Sequence, residues 1–277
     1  MNLKHLLNQA QQKIIMLSDT PRLDAELILA HVLQKERSYL YANYDQVLNT
    51  DNIKLFNSLI EQRINGKPVA YITKRKEFWS LNLEIKEKVL IPRPETELLV
   101  ELALRFLPFN SCIKVADLGT GSGAIALALA KERPKWRIIA TDKNNAALLI
   151  AKKNAQHFKL TNIEFKLGDW CNALPNYKFA AIISNPPYIA ENDPYLQGNI
   201  KFEPQSALIA KNNGLAALKT IIMQTKNKLK TNGMIILEHG YEQGDTVKNL
   251  LLENGYQKIT QYKDLAGFDR AICAFLN

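Results

Sequence analysis

The chain has 277 residues, 47% of them hydrophobic, and a formal net charge of +9. This length predicts about two domains, and the composition is that of a globular protein. No apolar run reaches the roughly 18 residues of a membrane span, and the N-terminus lacks the apolar region and cleavage site of a signal peptide. The scattered Cys112, Cys171 and Cys273 form no CxxC pattern, which argues against a disulfide framework or a zinc site and indicates a reducing cytoplasm.

The first part of the chain carries helical patterns. In "SDTPRLDAELILAHVL", cap-type residues precede Pro21, which suits the first position of a helix. In "NTDNIKLFNSLIEQRINGKP", we expect Thr50 or Asp51 to cap a second helix, and Gly66 and Pro68 to end it. The N-terminal segment therefore reads as a helical bundle.

The following segment, "KEFWSLNLEIKEKVLIP", alternates apolar and polar residues and predicts a hairpin or short strands. After it, "RPETELLVELALRFL" begins a new helix. We therefore expect three parts: a helical bundle over residues 1–73, a hairpin or linker over 74–90, and a larger domain over 91–277.

Within the larger domain, strand and helix patterns alternate. The strand-like segments are IKVADLG, RIIATD, IEFKLGD, FAAIIS and MIILEHG, and YQKITQYKD and RAICAFLN follow as a final pair that can be antiparallel. Strict alternation is typical of a parallel sheet with helices on both faces. The sequence therefore predicts an α/β fold with a doubly wound, mostly parallel, seven-stranded sheet.

A glycine-rich segment, "VADLGTGSG", follows the first of these strands and opens a helix. In a doubly wound sheet, this is where the backbone and a helix N-terminus approach a nucleotide-like ligand. The GxGxG spacing matches neither the dinucleotide fingerprint nor the phosphate loop, which favours a ligand with adenosine but no phosphate. A tight strand-to-helix turn is the alternative. The candidate ligand-binding residues are Asp117, Gly119, Thr120, Gly121, Ser122 and Gly123.

Two further strand ends carry acidic residues. Asp142 lies 23 residues past Gly119, near the roughly 20 at which an acid that receives ribose hydroxyls is expected. Asp169 and Trp170 follow the third strand, where a carboxylate can accept from an exocyclic amino group and an indole can pack on a base. The alternatives are a helix cap for Asp142 and an ordinary turn for Asp169 and Trp170.

The fourth strand ends abruptly in Asn185, Pro186, Pro187 and Tyr188, written NPPY below. Two prolines remove backbone donors and stiffen the chain. The first and fourth strands flank the switch point of such a sheet, so NPPY should face the glycine loop. The Asn185 side chain and the Pro186 carbonyl offer acceptors and Tyr188 offers a ring, which together suit a planar –NH2 group.

The glycine loop, Asp142, Asp169, Trp170 and NPPY resemble the S-adenosylmethionine-dependent methyltransferases that modify exocyclic or amide nitrogens. The segments "LIPRPETELLVE" and "FEPQSALIAKNNGLAAL", with the helical N-terminal part, resemble the release-factor glutamine methyltransferases (HemK/PrmC family). The resemblance covers nearly the whole chain.

This resemblance implies S-adenosylmethionine as cofactor, no metal, and the glutamine of the Gly-Gly-Gln motif of peptide-chain release factors as substrate. It implies that Asn185, Pro186 and Tyr188 are catalytic and that NPPY binds the substrate amide. We expect a monomer that needs neither nucleic acid nor membrane. The N-terminal helices, with the basic cluster Lys74 to Lys76, would dock the release factor.

Two alternatives stay open. A DNA or RNA amino-group methyltransferase would also carry NPPY, and the positive charge favours it, but we find no target-recognition insert or recognised RNA-binding module. A non-catalytic protein that kept the fold would carry a damaged cofactor loop or a broken NPPY, and both are intact here.

Overall fold

The computed structural model describes residues 1–197 and 199–277, and the chain divides into two compact units, Met1–Arg75 and Lys76–Asn277. Among these residues, no helix is long and apolar enough to cross a membrane. The two compact units separate after Arg75. The division into three parts, with boundaries at residues 73 and 90, stays a prediction.

The first unit consists of helices. They are α1 (Leu3–Ile14), α2 (Pro21–Leu33), α3 (Arg37–Ala42), α4 (Thr50–Ile64) and α5 (Val69–Thr73). Their apolar faces pack into a core that belongs to this unit alone. Pro21 begins α2 as the sequence predicts. The predicted cap of α4 was wrong: Thr50 and Asp51 lie inside the first turn, and Asn49 accepts from the Asn52 amide at 2.8 Å.

A buried ion pair joins two helices of this unit. Arg63 on α4 donates from Nε to Oδ2 of Asp24 on α2 at 2.8 Å, and both residues are less than 8% exposed. The Ser18 hydroxyl donates to the same carboxylate at 2.8 Å. Because both charges are withdrawn from water, each depends on the other for its stability.

A two-stranded hairpin follows, as the alternating pattern predicts: β1 (Arg75–Phe78) starts at the last residue of the first unit and pairs with β2 (Leu81–Glu84). Trp79 and Ser80 form its turn with φ of 50° and 55°, the geometry of a type I′ turn that matches the twist of the strands. The Trp79 indole donates to Glu132 at 3.0 Å, and its backbone amide donates to Glu97 at 2.8 Å. These bonds anchor the hairpin turn to two helices of the second unit.

The main sheet has seven strands in the order β5-β4-β3-β6-β7-β9-β8. They are β3 (Lys114–Leu118), β4 (Arg137–Asp142), β5 (Ile163–Leu167), β6 (Phe179–Ser184), β7 (Leu229–Glu238), β8 (Tyr256–Lys263) and β9 (Asp269–Leu276). The first five are parallel, while β9 is antiparallel to both β7 and β8. The predicted fold class is therefore confirmed, including the antiparallel final pair.

Within the described part of the chain, five α-helices connect or precede these strands. They are α6 (Glu97–Phe106), α7 (Ala124–Glu132), α8 (Asn145–His157), α9 (Ala216–Thr225) and α10 (Gly244–Glu253). Short 3-10 turns lie at Pro94–Thr96, Trp170–Ala173, Pro194–Gln197, Asn199–Phe202 and Gln205–Ala207. Apolar side chains of β3, β6, β7 and β9 pack with those of α9 and α10 into one core.

The register between β3 and β6 brings two loops together. Leu118 pairs with Ser184 at the carboxyl ends of these parallel neighbours, and the Ser184 hydroxyl donates to the Leu118 carbonyl at 2.7 Å. Gly119 and Asn185 are the next residues on each chain. The glycine loop and NPPY therefore leave the sheet side by side, at the switch point where doubly wound folds bind ligands.

Asp24→Ala should destabilise the first unit by about 3–5 kcal/mol, because it leaves the Arg63 guanidinium buried without its carboxylate. Hydrogen exchange of the α2 and α4 amides measures this as a loss of protection. The matched control is Glu61→Ala, which removes the exposed Lys13–Glu61 pair of the same unit and should change stability by no more than about 0.5 kcal/mol. Equal protection in the two variants would contradict the importance of the buried pair.

Candidate active site

A cavity opens at the carboxyl edge of the parallel strands. Its wall is formed by residues 88–90, Gly119 and Gly121, residues 142–144 with Ala147, residues 168–170, Asn185 and Pro187, and Pro204 with residues 206–207. Segments far apart in the sequence therefore meet here. The predicted residues that reach the wall are Gly119, Gly121, Asp142, Asp169, Trp170, Asn185 and Pro187.

The glycine loop is held against β4 by its backbone. The amides of Gly119 and Thr120 both donate to the Thr141 carbonyl, at 2.8 and 2.9 Å. Gly121 has φ of +58°, and a Cβ added there would meet nothing within 4 Å, whereas one added at Gly123 would lie 2.8 Å from a methyl carbon of Leu127. Gly121 thus keeps open space at the cavity, and Gly123 permits close packing within α7.

Asp117 lies below the loop, fully buried in β3. Its Oδ2 accepts from the Thr120 hydroxyl at 2.6 Å and from the Ala126 amide at 3.2 Å. Burial raises the pKa of Asp117 to about 7. Asp117, Thr120, Ser122 and Gly123 are absent from the cavity wall. That they contact the cofactor stays a prediction, while the observed bonds give Asp117 a role in supporting the loop from beneath.

Asp142 stands at the end of β4 and faces the cavity. Its two oxygens accept from the amides of Gly121 (2.9 Å) and Asn144 (2.8 Å), and burial raises its pKa. The helix-cap alternative does not apply, because Asn144 caps α8 through a bond from the Ala146 amide. Asp142 therefore ties the glycine loop to the next strand end, and each carboxylate oxygen retains capacity for a further donor.

Asp169 and Trp170 follow β5, the neighbour of β4, and both reach the cavity wall. Asp169 is exposed and Trp170 is half-buried, with φ of 45°. The Trp170 ring packs close to Gly119, since a Cβ added at Gly119 would lie 3.2 Å from Cζ3. Glycine at position 119 therefore lets the indole lie against the loop at the cavity wall.

Asn185 is the first residue of a hydrogen-bonded chain of side chains. Its Nδ2 donates to Oγ1 of Thr96 at 2.9 Å, and the Thr96 hydroxyl donates to Oε2 of Glu238 at 2.7 Å. The Tyr188 hydroxyl donates to the other oxygen of Glu238 at 2.9 Å. Asn185 and Tyr188, three residues apart in NPPY, are thus both connected to one carboxylate at the end of β7.

Glu238 and Thr96 are functional candidates that the sequence analysis missed. They are 1% and 3% exposed. Burial raises the pKa of Glu238 to about 7, against the hydrogen bonds from Thr96 and Tyr188 and the nearby charge of Arg270, which lower it. The available signal was an acidic residue within the apolar run "MIILEHG", because an acid in a buried strand needs partners. Thr96 lies within "LIPRPETELLVE", a segment recognised only through resemblance, and no residue pattern there distinguished Thr96 itself.

The remaining NPPY residues differ in whether they reach the cavity. Pro187 reaches the wall, whereas Pro186 is buried and Tyr188 is absent from the wall. The Tyr188 ring packs against the core of the sheet, and burial raises the pKa of its hydroxyl above the ordinary value. That this ring contacts the substrate stays a prediction. Its carbonyl accepts from Nε2 of Gln243 at 2.9 Å, which further holds the segment.

Two other segments of the cavity wall were recognised in the sequence only through resemblance. Glu203 accepts from the Ile91 amide at 3.0 Å and from the Arg93 guanidinium, which joins "LIPRPE" to "FEPQS". Two neighbouring parts of the sequence lie in the cavity wall: Pro204, which follows Glu203, and residues 88–90, which precede Ile91. The Glu203 bonds explain why both segments border one cavity.

Sequence comparison with known proteins shows which family this chain belongs to. The chain is 47% identical over 274 residues to a release factor glutamine methyltransferase of Coxiella burnetii, with 99% of each chain covered. The chain belongs to the release factor glutamine methyltransferases. It is also 42% identical to the Escherichia coli member, over 98% of this chain and 97% of that one. Family models match in two places: the PrmC N-terminal domain at residues 5–73 and the methyltransferase small domain at residues 96–202.

A solved structure supports the fold independently. A methyltransferase from Pyrococcus furiosus superposes with a TM-score of 0.54 over 78% of this chain and 96% of that one, at 17% sequence identity. At this low identity the likeness concerns the fold alone. The enzyme class, a methyltransferase, follows from the family.

Proposed function

We propose that this enzyme transfers a methyl group from S-adenosylmethionine to the side-chain amide nitrogen of the glutamine in the Gly-Gly-Gln motif of peptide-chain release factors. The observation that carries the proposal is that Asn185 of NPPY lies on the wall of the same cavity as Asp142 and Trp170. One set of groups suits an adenosyl ligand, and the other suits a planar amide.

The residues of the wall fit the cofactor. Asp142 has acceptor capacity for ribose hydroxyls, and Trp170 and Asp169 supply a ring face and an acceptor for the adenine. The open space beside Gly121 lets a ligand approach the backbone. When bound, S-adenosylmethionine supplies an electrophilic methyl group on a sulfonium.

The protein's own contribution is orientation. An amide nitrogen is a poor nucleophile, because its lone pair is delocalised into the carbonyl. Since Nδ2 of Asn185 is bonded to Thr96, its Oδ1 remains the acceptor available for a substrate N–H, with the Pro186 carbonyl as the second. Alignment of the nitrogen lowers the barrier by proximity, and the two acceptors stabilise the positive charge that develops on it. The nitrogen would gain the methyl group as the methyl–sulfur bond breaks, S-adenosylhomocysteine would leave, and the nitrogen would release one proton to water.

The direct experiment is mass spectrometry of a release factor incubated with this enzyme and S-adenosylmethionine. We expect one added methyl group on the Gly-Gly-Gln peptide. The net charge of +9 keeps a nucleic-acid substrate as the second candidate, so DNA and RNA are assayed in parallel. Transfer to nucleic acid without transfer to the release factor would reject the proposal, and cofactor binding without any transfer would support a non-catalytic protein.

Asp142→Ala should weaken S-adenosylmethionine binding at least tenfold by calorimetry, because each hydrogen bond to a charged group contributes on the order of 1.5–3 kcal/mol. The variant also frees the Gly121 amide, so the loop loses a contact. Asp142→Asn keeps the shape and one acceptor oxygen and should lose less affinity. Unchanged affinity in the Ala variant would remove Asp142 from the cofactor site.

Asn185→Ala should lower kcat and kcat/KM by roughly 10²–10³, by analogy with deleting one preorganised transition-state partner. Cofactor affinity should change little, because Asp142, Trp170 and the glycine loop remain. Asn185→Asp retains an acceptor and should be more active than the Ala variant. Near-wild-type turnover of Asn185→Ala on the release factor would show that NPPY is only a rigid turn.

We further propose that the first unit and the cluster Lys74 to Lys76 dock the release factor. Lys74 and Arg75 are exposed. Lys74→Glu with Arg75→Glu should lower kcat/KM on the intact factor about tenfold at low salt, with a weaker salt dependence, if the cluster steers an acidic surface. The matched control, Lys226→Glu with Lys230→Glu, changes exposed lysines beside the amino-terminal end of β7, at the edge away from the cavity. An equal loss in both pairs would indicate a general charge effect.

A further inference from the structure

The direction of each hydrogen bond along Asn185, Thr96 and Glu238 is determined by the groups themselves. A threonine hydroxyl carries one proton, and that of Thr96 is donated to Glu238. Its oxygen can therefore only accept from Asn185, so the –NH2 end of the Asn185 amide must face Thr96. The oxygen end is left to face away from Thr96.

This direction matters because the two ends of an asparagine amide have the same shape but opposite hydrogen-bonding roles. If the amide were turned by 180°, an –NH2 group would meet the N–H of the substrate amide, and two donors would oppose each other. Packing alone discriminates poorly between the two orientations. The hydroxyl of Thr96 discriminates strongly as long as its own proton is committed to Glu238.

We propose that Thr96 and Glu238 are positioning residues, which hold the Asn185 amide with its oxygen available to the substrate. In this arrangement the ionised Glu238 carboxylate determines the direction of both hydrogen bonds, from Asn185 to Thr96 and from Thr96 to Glu238. Tyr188 belongs to the same hydrogen-bonded group, because its hydroxyl donates to the second carboxylate oxygen of Glu238. Only an ionised carboxylate accepts from both hydroxyls without donating in return. The inference rests on the proposed amide methylation.

Protonation of Glu238 should reverse the donor and acceptor roles in the hydrogen bonds that link Glu238, Thr96 and Asn185. A carboxyl proton donated to Thr96 frees the threonine proton for Asn185, whose amide is then held with its –NH2 end outward. The groups that act on Glu238 are the hydroxyls of Thr96 and Tyr188, the cation Arg270 on β9, and the carboxylate of Glu95, which precedes α6. With the pKa of Glu238 raised to about 7, kcat should be highest above this pH and fall below it.

The test compares the kcat and the cofactor affinity of Thr96→Val and Thr96→Ser with those of the wild type. Thr96→Val keeps the shape but loses the hydroxyl, and we expect kcat to fall about 10- to 100-fold with S-adenosylmethionine affinity unchanged. Thr96→Ser should restore most of the lost turnover. The matched control is Thr225→Val, which removes a buried hydroxyl bonded to Tyr256 in the sheet core and should leave kcat unchanged.

A double-mutant cycle separates positioning from a general structural effect. If Thr96 acts through Asn185, Thr96→Val should add no further loss to Asn185→Ala. Additive losses, or equal turnover in Thr96→Val and Thr225→Val, would overturn the inference. If the wild-type enzyme transferred no methyl group to the release factor, this result would instead contradict the proposed function.

The pH profile provides a readout that does not depend on the stability of the Val variant. Wild-type kcat should show an acid limb with a midpoint near 7, where Glu238 titrates, and Glu238→Gln should lower kcat and remove that limb. A wild-type profile that is flat between pH 6 and about 8, or a limb that persists in Glu238→Gln, would overturn the role of Glu238.

Discussion

The parallel pairing of β3 with β6 is the constraint on which the active site depends. Its register pairs Leu118 with Ser184. The Ser184 hydroxyl donates to the Leu118 carbonyl, so this hydrogen bond joins the two strands at their carboxyl ends. The chain can then continue only as two adjacent loops, one rich in glycine and one stiffened by prolines. The glycine loop and the amide-orienting groups therefore share one cavity, to which β4 and β5, the next strands along the sheet, add Asp142 and Trp170.

Buried polar groups then give this cavity its chemistry. Asp117 supports the glycine loop from below, Asp142 ties it to β4, and Glu238 connects both ends of NPPY. Asp117 accepts through Oδ2 alone, and among the described residues its buried Oδ1 has no hydrogen-bond partner. Both oxygens of Asp142 and of Glu238 accept from amide or hydroxyl donors, which is the condition under which such groups stay in a protein interior. Such fully partnered groups resist rotation, so the site is preorganised before any ligand arrives.

Sequence patterns predicted regular elements well and their local details less well. The alternation of strands and helices, the hairpin and the start of α2 at Pro21 were all recognised. The short helices α3 and α5 were not, because six and five residues are too few for a periodic signal. The cap of α4 was misplaced by one or two residues, since Asn49, Thr50 and Asp51 are all good caps and only backbone geometry selects one of them.

The sequence by itself determined the fold class, the family, and the motif residues Asp142, Trp170 and Asn185, because these depend on local spacing and on residue type. Only the tertiary structure decided which of them reach the cavity and what holds them there. Thr96 lies 89 positions before Asn185, and Glu238 lies 50 positions after Tyr188. No local pattern records such partners, since hydrogen bonds across the sheet depend on register and burial, which arise only when the chain has folded.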